Sequence, residues 1–308
     1  MTGWPAGSLK QNIYRKYFYM PILLTKRCVS ALLPLLILTT GGCNMLLTDQ
    51  QVMKEYRLDK PERFGMPESL AEISGIAFRH GDPSTIYAIQ DEQGKLFWLQ
   101  WGVRKQFHTK FEKNGDYEDL AIVRDRVIVL KSNGHLYSFP LSDTAAEEAG
   151  HVQVWKDLLP QGEYESIWAS DATGLVYVLC KNCPQADSKI SVPGYRFQLT
   201  DSSLRPAGNF AIDVSQIKAI NGKVRRGFRP SALAMNPLTH EWFVLSAVNQ
   251  LLVVADSNWN VKNVYHLDGN RFTQPEGLAF DNNGNMYISN EGDHLSGGNI
   301  LKFDRRKN

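Results

Sequence analysis

Short apolar runs, most with alternating polar positions and all bounded by Gly, Asn, Asp or Pro, follow one another from about residue 72 to residue 304. They are rich in β-branched and aromatic residues, the composition and period of strands. The runs recur as a unit. "EISGIAF" (72–78), "DYEDLAI" (116–122), "EYESIWA" (163–169), "RPSALAM" (229–235) and "QPEGLAF" (274–280) share one pattern, and their third residues are Ser74, Glu118, Glu165, Ser231 and Glu276, at steps of 44, 47, 66 and 45. After a turn each is followed by a second run ("TIYAIQD", "RVIVLKS", "LVYVLCKN", "EWFVLSA", "NMYISNE") and then a third ("KLFWLQ", "HLYSFPL", "YRFQL", "LLVVAD", "NILKFD"). Repeats of about 45 residues with three or four strands each predict an all-β, five-bladed β-propeller. Six blades is the alternative, with the step of 66 hiding a degenerate blade, but that interval holds no further anchor and reads as one blade with insertions. Helical periodicity is confined to a short piece near "DVSQIKAI". The last repeat lacks a fourth strand, and "KEYRLD" (54–59) is the expected donor, closing the ring and removing open sheet edges.

The Asn-Gly of "DNNGN" (281–285) falls where every repeat has its first hairpin turn, and Asn-Gly favours a type I′ turn. The stretch resembles the start of a calcium loop but lacks the closing Glu and flanking helices, so a turn is expected.

In a propeller the first strand of each blade lines the central channel, so the anchors converge on one axis. Two places earlier stand Glu72, Asp116, Glu163, Arg229 and Gln274, on the same strand face by alternation. The second strands return to the same rim and bring Asp91, Glu92, Asn290, Glu291 and Asp293 near. Carboxylates crowded together stay ionised only beside something positive, and Arg229 alone cannot balance them. An oxygen-only donor set suits a hard cation, calcium best. Glu118, Glu165 and Glu276 share one register and are the expected ligands. Glu72, Asp116, Glu163, Asp91, Asn290 and Glu291 form a second tier. Ser74 and Ser231 read as hydrogen-bonding or packing residues, and Tyr117, Tyr164, Pro230 and Pro275 as blade packing.

Residues 1–42 hold no acid and five basic residues, followed by "VSALLPLLILTT" and "GGC". That is the order of a secretory signal, with an apolar run too short to span a bilayer. Small residues running into Cys43 resemble a bacterial lipobox, although Thr40 stands where Leu is usual. The expected division is a signal peptide at 1–42, a lipidated tether at 43–52 and the propeller at 53–308. Met20 is an alternative start. The expected place is the cell envelope, as an outer-membrane lipoprotein anchored through Cys43. The chain carries a formal charge of +2, but without 1–42 it has 29 basic against 32 acidic residues, about −3. Nucleic acid is therefore not an expected partner, and the basic "KVRRGFR" (223–229) reads as a solvated loop. "CKNC" (180–183) is open to redox, metal or disulfide readings. With no second C-x-x-C and no flanking His, a local Cys180–Cys183 disulfide is expected.

"ISGIAF", "DYEDLA", "RPSALAMNP", "LLVVAD" and above all "QPEGLAFDNNGNMYISNEGD" resemble the SdiA-regulated protein family, a bacterial group similar to NHL-repeat propellers. The resemblance covers roughly residues 65–306. It implies a five-bladed propeller with a calcium ion in a shared site, here carried by Glu118, Glu165 and Glu276, and it names no substrate. Two functions follow. One is a non-enzymatic calcium-binding propeller with a small-molecule or protein ligand on its channel rim. The other is a calcium-dependent hydrolase, lactonase- or phosphoesterase-like, which would need a base beside the metal; His294 is the histidine nearest the acidic rim.

Overall fold

The computed structural model describes residues 52–306 apart from 104, 202 and 293–296. The signal segment, Cys43, most of the tether, Asp293 and His294 lie outside the described residues. The chain divides into two units, Met1–Leu46 and Leu47–Asn308, and the second holds everything below.

Strand β1 (Glu62–Gly65) comes first. Blade 1 is β2 (Ile73–Arg79), β3 (Asp82–Gln90), β4 (Lys95–Leu99) and β5 (Gln106–Lys110). Blade 2 is β6 (Tyr117–Val123), β7 (Arg126–Lys131), β8 (Leu136–Pro140) and β9 (Gln153–Trp155). Blade 3 is β10 (Glu163–Ala169), β11 (Leu175–Asn182), β12 (Ser191–Leu199) and β13 (Leu204–Asp213). After helix α1 (Val214–Asn221), blade 4 is β14 (Ala232–Met235), β15 (Trp242–Ser246), β16 (Leu251–Ala255) and β17 (Val261–His266). Blade 5 is β18 (Pro275–Phe280), β19 (Met286–Asn290) and β20 (Asn299–Phe303). Each blade is an antiparallel sheet in chain order, and β1 completes the fifth by pairing with β20, Phe64 opposite Ile300.

Each sheet buries both faces against its neighbours, so the core is divided into wedges between blades. Val127, Val129 and Phe139 of blade 2 meet Ala77, Ile89 and Leu96 of blade 1. Ile73, Phe78 and Phe97 of blade 1 meet Ala279, Tyr287 and Ile300 of blade 5, which closes the ring. Burial on both faces is why the middle strands read as nearly continuous apolar runs, such as "LLVVA" in β16, all buried.

The closing strand is not where the apolar pattern put it. Residues 54–59 form no strand. The ring of Tyr56 is instead fully buried between Phe243 and Phe280. Its hydroxyl donates to Gly284 O at 2.6 Å and accepts from Asn236 Nδ2 at 2.9 Å, so the segment plugs blades 4 and 5. The chain then turns and donates "ERFG". The interval of 66 is one blade with insertions. It is taken up by the long β12 and β13, the turn after Cys183, and α1, which Asp213 caps by accepting from Ser215 N at 2.8 Å.

"DNNGN" is a turn, as expected, though a longer one than type I′. Buried Asp281 accepts from Asn283 N and Asn285 N, both at 2.9 Å, and from Asn285 Nδ2 at 2.8 Å and Tyr287 Oη at 3.1 Å. The protein itself satisfies both carboxylate oxygens, so the loop has none to spare for an ion. Cys180 and Cys183 are joined by a disulfide. Among the described residues no helix is long and apolar enough to cross a membrane.

Candidate functional site: the acidic mouth of the channel

Near its start, the first strand of four blades slips by one residue against the second. Tyr117 pairs with Lys131 but Asp119 with Leu130; Tyr164 pairs with Cys180 but Ser166 with Leu179; Pro275 pairs with Asn290 but Gly277 with Ser289. The residue left over each time is Glu118, Glu165 or Glu276. Blade 1 makes the same slip around Ser74 and Gly75. A bulge re-aims the side chain of its extra residue and breaks strand alternation. That is how three glutamates from three blades share one position. It is also why Glu163, two places before Glu165, is exposed and accepts from Asn182 Nδ2 at 3.2 Å.

The bulge needs close backbone approach. A Cβ on Gly277 would lie 2.5 Å from Ser74 O, and one on Gly75 would lie 2.5 Å from Asp119 Oδ1. Bonds between blades close this layer: Ser289 Oγ donates to Ser74 O at 2.6 Å, and Ser231 Oγ to Pro275 O at 2.7 Å. Both serines are buried, in keeping with the structural reading of Ser231. The tyrosines are likewise structural, since Tyr117 and Tyr164 are buried and each donates to the carbonyl four residues back, at 2.8 Å.

Extended past the last pairs, the register aligns a second ring at the ends of the second strands: Asp91, Ser132, Ala247 and Glu291 just beyond β3, β7, β15 and β19, and Lys181 within β11. The two rings act on each other. Burial, then Asp116, with Asp91 adding to it, pushes the Glu118 carboxyl up to about 8 against the pull of Lys181. Burial, Glu291, Glu118 and Asp91 push Glu276 up to about 8, again opposed by Lys181. Asp91 rises to about 6 through burial, Glu72 and Glu291. Glu291 is raised by burial and Glu72, although it accepts from Gln274 Nε2. Asp116 is exposed, accepts from Ser132 Oγ and contacts Glu118. Glu165 is paired with Lys181.

Two residues of this site are not among those the sequence pattern brings forward. Lys181 is the cation acting on Glu118 and Glu276. Arg229, the cation the sequence places at the rim, has its Nε buried with no hydrogen-bond partner among the described residues. Its main chain is held by Asn249 and Ser246. Asp119 is the other. Burial raises its carboxyl well above the usual carboxylate range, against the pull of two backbone donors, Leu120 N at 2.8 Å and Ile167 N of the next blade at 2.9 Å.

The donor chemistry of the mouth fits a hard cation. Every candidate ligand is an oxygen, and burial followed by like charge raises Asp91, Glu118, Glu276 and Glu291. Asp91 Oδ1 and Asn290 Oδ1 are buried without a partner among the described residues, while Asn290 Nδ2 donates to Asn299 Oδ1 at 3.1 Å. As placed, no three His, Cys, Asp or Glu side chains among the described residues form a coordination shell. The carboxylates sense one another through their charges rather than across a shared centre.

The far ends of the first strands lie roughly 17 Å away along β6. Between the anchors and those ends the channel holds a cavity of about 420 Å³, with walls that include Ile76, Leu120, Ile167, Trp168 and Leu278 and an outer rim that includes His80, Asp171 and His240. His80 Nδ1 meets Asp171 Oδ2 at 2.7 Å and its Nε2 lies 3.3 Å from Asp125 Oδ1, and these carboxylates raise its pKa.

Residues 209–294, which run from the end of β13 through blade 4 and most of blade 5, match the family model described as SdiA-regulated. No curated protein matches the chain by sequence. Among solved structures the chain is similar to a glutaminyl cyclase from Myxococcus xanthus, at 14% identity over 80% of this chain and 96% of that one, with a TM-score of 0.51. It is also similar to a luciferin-regenerating enzyme, at 8% identity over 80% and 95% with a TM-score of 0.49. A virginiamycin B lyase from Staphylococcus aureus follows at 13% identity over 78% and 69%, with a TM-score of 0.43. At 14% identity the likeness to the glutaminyl cyclase speaks for the fold alone. The chain is thus a five-bladed β-propeller in which residues 209–294 match the SdiA-regulated family model.

Proposed function

We propose that this protein is a calcium-binding propeller of the cell envelope, tethered by a lipid on Cys43, and that it binds a small molecule or protein partner on the channel rim. The observation that carries the ion is the repeated bulge, which turns Glu118, Glu165 and Glu276 toward one mouth where burial, and then neighbouring acids, raise Glu118 and Glu276. Glu118 and Glu276 would hold the ion with Asp91 and Asn290, and Glu165 would join them once free of Lys181. The ion would supply positive charge that lets these carboxylates ionise together and ties blades 1, 2, 3 and 5 at the axis. The rim loops then serve as the binding surface of a rigid scaffold. The basic, apolar and small-residue order of residues 1–43 supports the tether.

The hydrolase alternative needs a base beside the ion. His294, the histidine expected there, lies outside the described residues, and His80 belongs to the opposite mouth. The test is calcium titration by calorimetry on the propeller and its Glu118→Gln, Glu165→Gln and Glu276→Gln variants. One ion per chain in the parent, with weakened binding in each variant, is the expected result. No calcium uptake by the parent would refute the reading.

A further inference from the structure

The "CKNC" motif and the acidic mouth meet at one residue. Lys181 lies between two cysteines whose disulfide closes a four-residue loop. Both cysteines are buried in the wedge between blades 2 and 3. The strand slips here as well, since Glu163 pairs with Asn182 but Tyr164 with Cys180, and Lys181 is the residue left over. Blade 3 therefore bulges on both sides of the same point, at Glu165 and at Lys181. The two re-aimed side chains form an ion pair, with Lys181 only 26% and Glu165 13% exposed. In the second ring Lys181 occupies the position at which blades 1 and 5 carry Asp91 and Glu291. A positive charge thus stands where the repeat elsewhere places a negative one, within reach of Glu118 and Glu276.

We propose that Lys181, held over the mouth by the Cys180–Cys183 disulfide, is the resident counter-ion of the two rings, and that a divalent cation enters by displacing it from Glu165. This rests on the calcium reading of the same mouth. The ammonium supplies one charge, which relieves but does not balance the surrounding carboxylates. A divalent ion supplies two and accepts six to eight oxygens, so it can take the place of the lysine. The buried disulfide fixes the backbone from which Lys181 reaches inward. The lysine then sets the affinity: a mouth that carries its own cation binds calcium more weakly than the same carboxylates alone.

The test uses the full-length protein and calcium chloride. Calorimetry on the parent and on Lys181→Met is expected to show at least tenfold tighter binding in the variant. The variant is also expected to melt lower than the parent in chelator and to recover in calcium. A lysine with only a structural role would lower the melting point without raising affinity. Equal or weaker binding by Lys181→Met overturns the proposal and leaves the calcium reading standing. Failure of both proteins to bind calcium removes the calcium reading, and the displacement with it. The part of the disulfide is read by repeating the titration on reduced protein and on Cys180→Ser/Cys183→Ser, which are expected to bind more tightly than the oxidised parent. Unchanged affinity there refutes the claim that the disulfide positions Lys181. A double-mutant cycle of Glu165→Gln with Lys181→Met, read by melting temperature, is expected to be non-additive. Additive shifts would overturn the resident pairing.

Discussion

Replacing Glu276 by Gln removes one charge from the mouth and keeps the shape, and the effect on stability should depend on pH with a definite sign. Glu276 titrates near 4.5 when free and near 8 in the folded chain. The folded state therefore holds the proton more tightly than the unfolded state throughout that window. Its contribution to stability is complete below about pH 4.5 and is lost as pH rises toward 8. Three to four decades of proton affinity at ~1.4 kcal/mol each correspond to an upper bound of about 5 kcal/mol. The realised loss is smaller, because Glu118 and Glu291 share the repulsion and ionising one acid discourages the next. In chelator, Glu276→Gln should match the parent near pH 4.5 and exceed it by about 2–3 kcal/mol at pH 8. The assay is urea unfolding followed by tryptophan fluorescence at pH 4.5, 6, 7 and 8. Added calcium should flatten the parent's decline and do little for the variant. A variant less stable than the parent at pH 8 in chelator would refute the electrostatic account of the mouth, since Glu276 would then be held by favourable contacts.

Further outcomes follow from other parts of the ring. Asp119→Ala should lower stability by about 2–4 kcal/mol in thermal or urea unfolding, because it strips the acceptor from two buried N–H groups, one of them Ile167 N of the next blade. Tyr56→Phe should cost about 1–2 kcal/mol by the same assays, through the lost bond to Gly284 O and the unpaired Asn236 amide. Calcium at a hundred times its dissociation constant should stabilise the parent by about 2.7 kcal/mol, seen as a rise in melting temperature that Glu118→Gln reduces. At the opposite mouth His80 has a raised pKa, so its contribution is full below the ordinary histidine value and is lost as pH rises through the raised one. The gap in melting temperature between parent and His80→Gln should be wider at pH 5.5 than at pH 8.5.

The blades were legible because five similar wedges demand five similar apolar patterns, and the anchors mark where each blade meets the axis. The closing strand was not. "ERFG" is an edge strand, its burial supplied on one side only, so it carries no alternating apolar signature. "KEYRLD" does carry an apolar signal at Tyr56, but that side chain is a plug rather than a strand residue. Hydrophobicity reports that a residue is buried. It does not report which backbone bonds surround it.

The mouth was legible in its acids and not in its cation, for a related reason. Strand alternation placed Glu163 and Glu165 on one face, whereas a bulge sends them apart, and nothing in the local residue types announces the bulge. Its signs appear only when the blades are compared at the axis. The small residues Gly75, Ser166, Ala232 and Gly277 follow the anchors in four blades, and Asp119 stands alone among them. That isolated acid marks the inter-blade carboxyl that accepts from Ile167 N. The same comparison on the second strands sets Lys181 against Asp91 and Glu291. A reversal of charge at one repeat position cannot come from blade packing, which every blade needs alike. It reflects what happens at the shared axis, where unlike residues from different blades meet. The chemistry of a ring of repeats is thus carried by the positions that break the repeat, and in this chain those positions are Asp119 and Lys181.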